Sequence, residues 1–135
     1  MAITGRCLCG TITFRLDEGP VATRACWCRD CQYLSTGNAS FGVFFRSRAL
    51  TVFGEPAAFT SASAAGNLIR RRFCGKCGTP LFSDAIAEPD YLVVRLGGLD
   101  DRELGRPQST IWTGSAPSWA WIDPDHPQSP GQPGG

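Results

Sequence analysis

Cys74-Gly75-Lys76-Cys77-Gly78 has the spacing of a zinc knuckle, and the other cysteines are placed to meet it. Two thiolates bound about 2.3 Å from one tetrahedral Zn²⁺ sit roughly 3.7 Å apart, which a tight two-residue turn can deliver. Gly78 tolerates the positive φ that such a turn often needs. Moving outward, the next thiols are in Cys7-Leu8-Cys9-Gly10. In a flat strand Cys7 and Cys9 would lie almost 7 Å apart, at a rise of about 3.3 Å per residue. They share a metal only if the backbone curls, and Gly10 permits that. A knuckle plus such a pair makes a closed structural site of Cys7, Cys9, Cys74 and Cys77, joining the start of the chain to its middle. A zinc of this kind contributes on the order of 10 kcal/mol to the folding of a small domain. Spacing alone leaves open which cluster pairs with which.

The third cluster is Cys26-Trp27-Cys28-Arg29-Asp30-Cys31. A catalytic zinc generally keeps three protein ligands and one open position, so Cys26, Cys28 and Cys31 read as a second, open zinc site. A thiol bound at an open position loses its proton and becomes a reactive thiolate. The alternative is a second structural zinc, with a fourth ligand such as His126 or an Asp. The seven cysteines are an odd number, so a disulfide framework would leave one over.

The 135 residues suffice for one domain, expected over 1–123. Net charge is +1, which makes no electrostatic case for nucleic acid or an anionic membrane. No stretch approaches membrane-spanning length and Met1 to Arg6 has no apolar leader, so a cytoplasmic protein with reduced thiols is expected. One His, no phosphate-binding glycine loop and no Ser elbow leave the thiols to carry the chemistry.

Thr11–Arg15 alternates polar and apolar residues as a half-buried strand does, and Phe41–Phe45 and Leu50–Phe53 are rich in β-formers. Asn67–Phe73 places Ile69, Arg71 and Phe73 on one face of an extended segment, and Leu68, Arg70 and Arg72 on the other. Tyr91–Leu96 is the strongest strand, and Ile111-Trp112 and Trp119–Ile122 read as short pieces. No segment carries a clean 3.6-residue apolar period, so the domain is expected to be mostly β. Residues 124–135 are rich in Pro and Gly and are expected to form a loose, flexible tail, with His126 solvated in it.

Gly5-x-Cys7-x-Cys9-Gly10, Cys26-x-Cys28-x2-Cys31 and Arg72-Phe73-Cys74-x2-Cys77-Gly78-Thr79-Pro80-Leu81-Phe82 together resemble the glutathione-dependent formaldehyde-activating enzyme family. Val94–Asp100 and the later Ile111-Trp112…Trp119 are similar to the second half of that family. The resemblance implies a β-tent-like fold: coiled antiparallel β-sheets around a structural four-cysteine zinc site at Cys7, Cys9, Cys74 and Cys77. It implies a second zinc at Cys26, Cys28 and Cys31, hence two Zn²⁺ per chain. The activity it implies is that of a carbon–sulfur lyase forming S-hydroxymethylglutathione from glutathione and formaldehyde. The chain departs from the pattern at Trp27 and at Thr110, where many members carry His. Trp27 is expected to make the rim of the site more apolar.

The reaction expected is addition of a small glutathione-like thiol to a small formaldehyde-like aldehyde, or its reverse, with Cys26, Cys28 and Cys31 as the catalytic residues. Three thiolates leave such a zinc a mild Lewis acid, suited to delivering a nucleophile. Arg29, Arg70 and Arg72 are candidates for the carboxylates of the thiol, weighed against a surface role. Asp30 is expected to cap its turn or accept a proton. Trp112, Trp119 and Trp121 are expected in the core. The alternative function is a non-catalytic, zinc-stabilised interaction module.

Overall fold

The computed structural model describes residues 2–133. Ten strands fall into two sheets. β1 (Ile3–Arg6), β2 (Thr13–Leu16) and β5 (Leu50–Phe53) form a three-stranded antiparallel sheet in the order β1-β2-β5. The other seven are β3 (Ala22–Cys26), β4 (Ser40–Arg46), β6 (Ala57–Ala62), β7 (Leu68–Phe73), β8 (Pro80–Ala85), β9 (Tyr91–Arg95) and β10 (Thr110–Ile111), in the order β10-β3-β4-β9-β8-β7-β6. One short helix, α1 (Arg29–Leu34), lies between β3 and β4. Its six residues are too few for a helical period to appear in the sequence.

The period-2 rule explains why the sheets face each other. In β2, Phe14 and Leu16 are buried while Thr13 and Arg15 are exposed. In β4, Val43 and Phe45 point to the same core, as do Leu92 and Val94 of β9; in β8 the consecutive Leu81 and Phe82 are both buried, opposite a register shift at Arg72 and Phe73. Phe14 meets Phe82 edge to face, with centroids 5.0 Å apart, pinning the small sheet to the large one. Cys7 and Cys74 belong to this core.

Gly5 makes that close approach possible. A Cβ there would lie 2.2 Å from Phe14 Cζ and 2.3 Å from the Gly98 carbonyl oxygen. The second contact is backbone and cannot swing away. Gly5→Ala is therefore expected to cost about 2 kcal/mol or more, as overpacked core substitutions do, read as a lowered urea midpoint. An unchanged midpoint would mean that the sheets are free to separate locally.

Two expectations are corrected. The large sheet is mixed rather than purely antiparallel, because β10 runs parallel to β3. Trp119–Ile122 forms no strand. The segment expected to be a loose tail makes backbone hydrogen bonds to the edge of the large sheet. The Pro127 carbonyl accepts from Thr110 N–H, and Ser129 N–H donates to the Thr110 carbonyl. The Ser129, Pro130 and Gly131 carbonyls accept from Thr113, Gly114 and Trp112. Backbone groups along an open sheet edge require partners whatever the neighbouring side chains, so a stretch poor in apolar residues still docks. Met1 at the start of the expected 1–123 domain, and Gly134 and Gly135 at the end of the tail, lie outside the described residues.

Candidate metal centre and cleft

The four-cysteine cluster forms where two turns meet. Gly10 takes φ +79° and its N–H donates to the Cys7 carbonyl, so the chain curls as a shared ligand pair requires. Gly78 takes φ +82° and its N–H donates to the Cys74 carbonyl at 2.8 Å. Cys7 Sγ lies 3.6 Å from Cys9 Sγ, and Cys9 Sγ lies 3.8 Å from Cys74 Sγ. These separations match the edge of a tetrahedron of sulfurs about 2.3 Å from zinc. All four sulfurs of Cys7, Cys9, Cys74 and Cys77 lie within 4.8 Å of one another. Thr79 Oγ1 accepts from Leu8 N–H at 3.0 Å and lies 3.2 Å from Cys77 Sγ, tying one turn to the other. Hydrogen bonds from the Thr79 hydroxyl and backbone lower the Cys77 thiol to about 5, and Thr11 lowers Cys9 in the same way. Both shifts favour the thiolates that a metal requires.

The second cluster is Cys26, Cys28 and Cys31, whose sulfurs also lie within 4.8 Å of one another. Cys26 ends β3, and Cys28 caps α1 by accepting the Cys31 N–H at 3.4 Å. The knuckle repeats this contact, with Cys77 N–H donating to Cys74 Sγ at 3.4 Å. Both Cys-x2-Cys turns thus hold their first sulfur in the same way. Gln32, 6% exposed, locks the loop by donating to the Trp27 and Ser115 carbonyls. Hydrogen bonds from Cys26 and Cys28 draw the Cys31 thiol far down, assisted by Arg95, while the same contacts push Cys26 up. No fourth His, Cys, Asp or Glu joins the trio among the described residues. His126 is engaged elsewhere, with Nε2 2.6 Å from Thr110 Oγ1 and Nδ1 3.8 Å from Asp123.

The trio opens into a cleft of about 290 Å³ on the face of the large sheet opposite the core. Its lining follows strand alternation. Arg24 and Cys26 of β3, Gly42 and Phe44 of β4, and Arg95 of β9 share this face, while Ala25, Val43 and Val94 face inward. Arg71 and Ile69 of β7 reach the same cleft, as the alternation of that segment requires.

Several expected site residues lie elsewhere. Arg29 donates to Gln32 and covers the Tyr33 ring, Arg70 pairs with Asp84 at 3.1 Å, and Arg72 covers Phe82. Asp30 pairs with Arg71 at 3.3 Å, and the cap it was expected to provide is supplied by the Cys28 sulfur. Trp27 is 3% exposed in a second small core with Ala25 and Ala39, and does not form the rim. It meets Trp119 edge to face, at 6.2 Å. Trp119 and Trp121 are 69% and 77% exposed and are not core residues. Trp112 has left-handed φ 58° and lines the cleft. The arginines that do line it, Arg24, Arg71 and Arg95, show in the sequence only through strand parity: Arg24 is two residues before Cys26, and Arg95 alternates with core Val94.

No helix among the described residues is long and apolar enough to cross a membrane. No curated protein matches the chain in sequence. A crystal structure of a Rhodobacter sphaeroides protein superposes with a TM-score of 0.56, covering 79% of this chain and 97% of that one at 22% identity. The two share a fold. Residues 2–115 match the glutathione-dependent formaldehyde-activating enzyme family, and that span takes in all seven cysteines of both clusters. With the cysteine pattern and the match in agreement, the chain belongs to the glutathione-dependent formaldehyde-activating enzyme family.

Proposed function

We propose that this protein is a zinc-dependent carbon–sulfur lyase that joins a small thiol of the glutathione kind to a small aldehyde such as formaldehyde, or runs the reverse. One observation carries the reading: three convergent thiols, with no fourth ligand among the described residues, border a cleft large enough for a small molecule. In this reading Cys7, Cys9, Cys74 and Cys77 hold a structural zinc, and Cys26, Cys28 and Cys31 hold a second. A zinc bound by the trio supplies positive charge that lowers the pKa of an incoming thiol.

The remaining work belongs to the chain. α1 and β3 hold the three sulfurs in register, and Gln32 keeps the loop closed against Ser115. The cleft walls bring aldehyde and thiol together, replacing a bimolecular encounter by an oriented one. The thiol sulfur forms a bond to the aldehyde carbon, the carbonyl π pair moves to oxygen, and the thiol proton ends on that oxygen. Nothing is oxidised or reduced.

The test is the initial rate of S-hydroxymethylglutathione formation, followed by NMR exchange spectroscopy with and without the zinc-loaded protein. Acceleration above the uncatalysed rate is expected for wild type and is expected to vanish in Cys28→Ser. If wild type gives no acceleration, the chain is a zinc-stabilised binding module.

A further inference from the structure

The cleft contains two guanidinium groups with no carboxylate partner among the described residues. Arg24 pairs with Gly42 across β3 and β4, and Gly42 pairs with Arg95 across β4 and β9. The three form one row on the cleft face, separated from the Cys26–Ser40 row by the one pair Ala25–Phe41. A Cβ on Gly42, between the two arginines, would lie 2.7 Å from Val93 Cγ1 and 3.9 Å from Arg95 Nη1, so only glycine fits this row without displacing Val93. Arg95 is held by two buried hydroxyls, donating to Ser40 Oγ and Ser83 Oγ at 2.9 Å each. Three of its five N–H donors are left over. Arg24 lies over the Phe44 ring, 4.6 Å from its centroid, and donates to no side chain among the described residues.

Other charges near the cleft are largely matched. Asp84 pairs with Arg70 and Asp30 with Arg71, while Glu88 is exposed. Neither Arg24 nor Arg95 hydrogen-bonds a cysteine sulfur among the described residues. Both instead line the cleft that the trio borders.

We propose that Arg24 and Arg95, flanking Gly42, form an anion subsite that takes a carboxylate of the incoming thiol. The ligand class is a thiol bearing a carboxylate several bonds from its sulfur. The row lies two residues along β3 from Cys26, about 7 Å of backbone, so sulfur and carboxylate would occupy separate places. The inference rests on the thiol-capturing reading of the trio. Forked guanidinium groups suit a planar carboxylate, and lysine does not reproduce that geometry.

Two probes separate this subsite from thiol capture. S-Methylglutathione keeps both carboxylates and has no thiol. 2-Mercaptoethanol has a thiol and no carboxylate. Each is titrated calorimetrically into the zinc-loaded full chain. S-Methylglutathione is expected to bind wild type, and Arg24→Gln to weaken it at least about tenfold more than it weakens 2-mercaptoethanol, the scale of a lost charged hydrogen bond. Arg24→Lys should fall between. If S-methylglutathione fails to bind wild type, or if both probes weaken equally in Arg24→Gln, the subsite is overturned. Equal weakening would mean that the arginines merely balance thiolate charge. Failure of 2-mercaptoethanol to bind wild type overturns thiol capture instead, and S-methylglutathione still decides the anion subsite. If Arg24→Gln does not fold, Arg95→Lys and Arg24→Lys are judged by the same ratio between probes.

Discussion

Cys74→Ser is expected to leave almost no soluble protein, whereas Cys28→Ser folds and retains about one zinc in place of two. The two thiols have similar turns but different surroundings. Cys74 is 1% exposed and shares the main core with Cys7, Phe14, Leu81 and Phe82. Its cluster joins residues 7–9, just after β1, to residues 74–77 between β7 and β8, and so ties the small sheet to the large one. Losing a four-thiolate zinc removes on the order of 10 kcal/mol, about the whole stability of a domain this size. Cys26, Cys28 and Cys31 lie within one loop and helix, so a metal there crosslinks little chain. Soluble yield, circular dichroism and zinc content by emission spectroscopy decide the matter. Equal collapse of Cys28→Ser would show that the trio staples the fold and is not free to serve a ligand.

Ending the chain at Asp123 is expected to cost about 2–5 kcal/mol, from several net backbone hydrogen bonds of roughly 0.5–1.5 kcal/mol each. The segment from Pro127 to Gly131 satisfies the outer edge of β10 and the turn after it. Without it Thr110, now 3% exposed, is laid open along with the hydroxyl that meets His126. The effect should reach the site. β10 pairs with β3 at Ile111 and Cys26, and Gln132 both lines the cleft and accepts from Trp112 Nε1 at 3.1 Å. With zinc in both clusters, as proposed, the one held by the trio should therefore transfer faster to a chromophoric chelator in the truncated chain, alongside a lowered urea midpoint. The family match ends at residue 115, so this wall of the cleft lies beyond it. Unchanged midpoint and unchanged zinc transfer would reduce the segment to a decoration of the sheet edge.

The two cysteine clusters were legible because metal ligation is a short-range demand. Zinc fixes the distance between sulfurs, and ligands one or two residues apart meet it only through a tight turn, which short-range spacing reveals. Strand parity was legible for the same reason. Ile69 and Arg71 were placed on one face by alternation alone, and both line the cleft. Arg29, Arg70 and Arg72 were drawn toward the site by nearness in sequence, yet the pleat turns Arg70 to Asp84 and Arg72 onto Phe82. The tryptophans misled differently. Aromatic bulk favours burial, but whether a ring is covered depends on what packs over it, and nothing described covers Trp121.

The sequence by itself determined the mostly β character, the three cysteine clusters with their metal-ligand spacing, and the curls at Gly10 and Gly78, since each follows from residues within a few positions of one another; which clusters meet was left to the fold. Tertiary structure alone decided which arginines face the trio, that β10 runs parallel to β3, and that the Pro-rich end of the chain closes that edge. Those outcomes depend on strand order and register. They bring Arg24, Gly42 and Arg95 into one row from positions scattered along the chain, and no local pattern encodes that meeting.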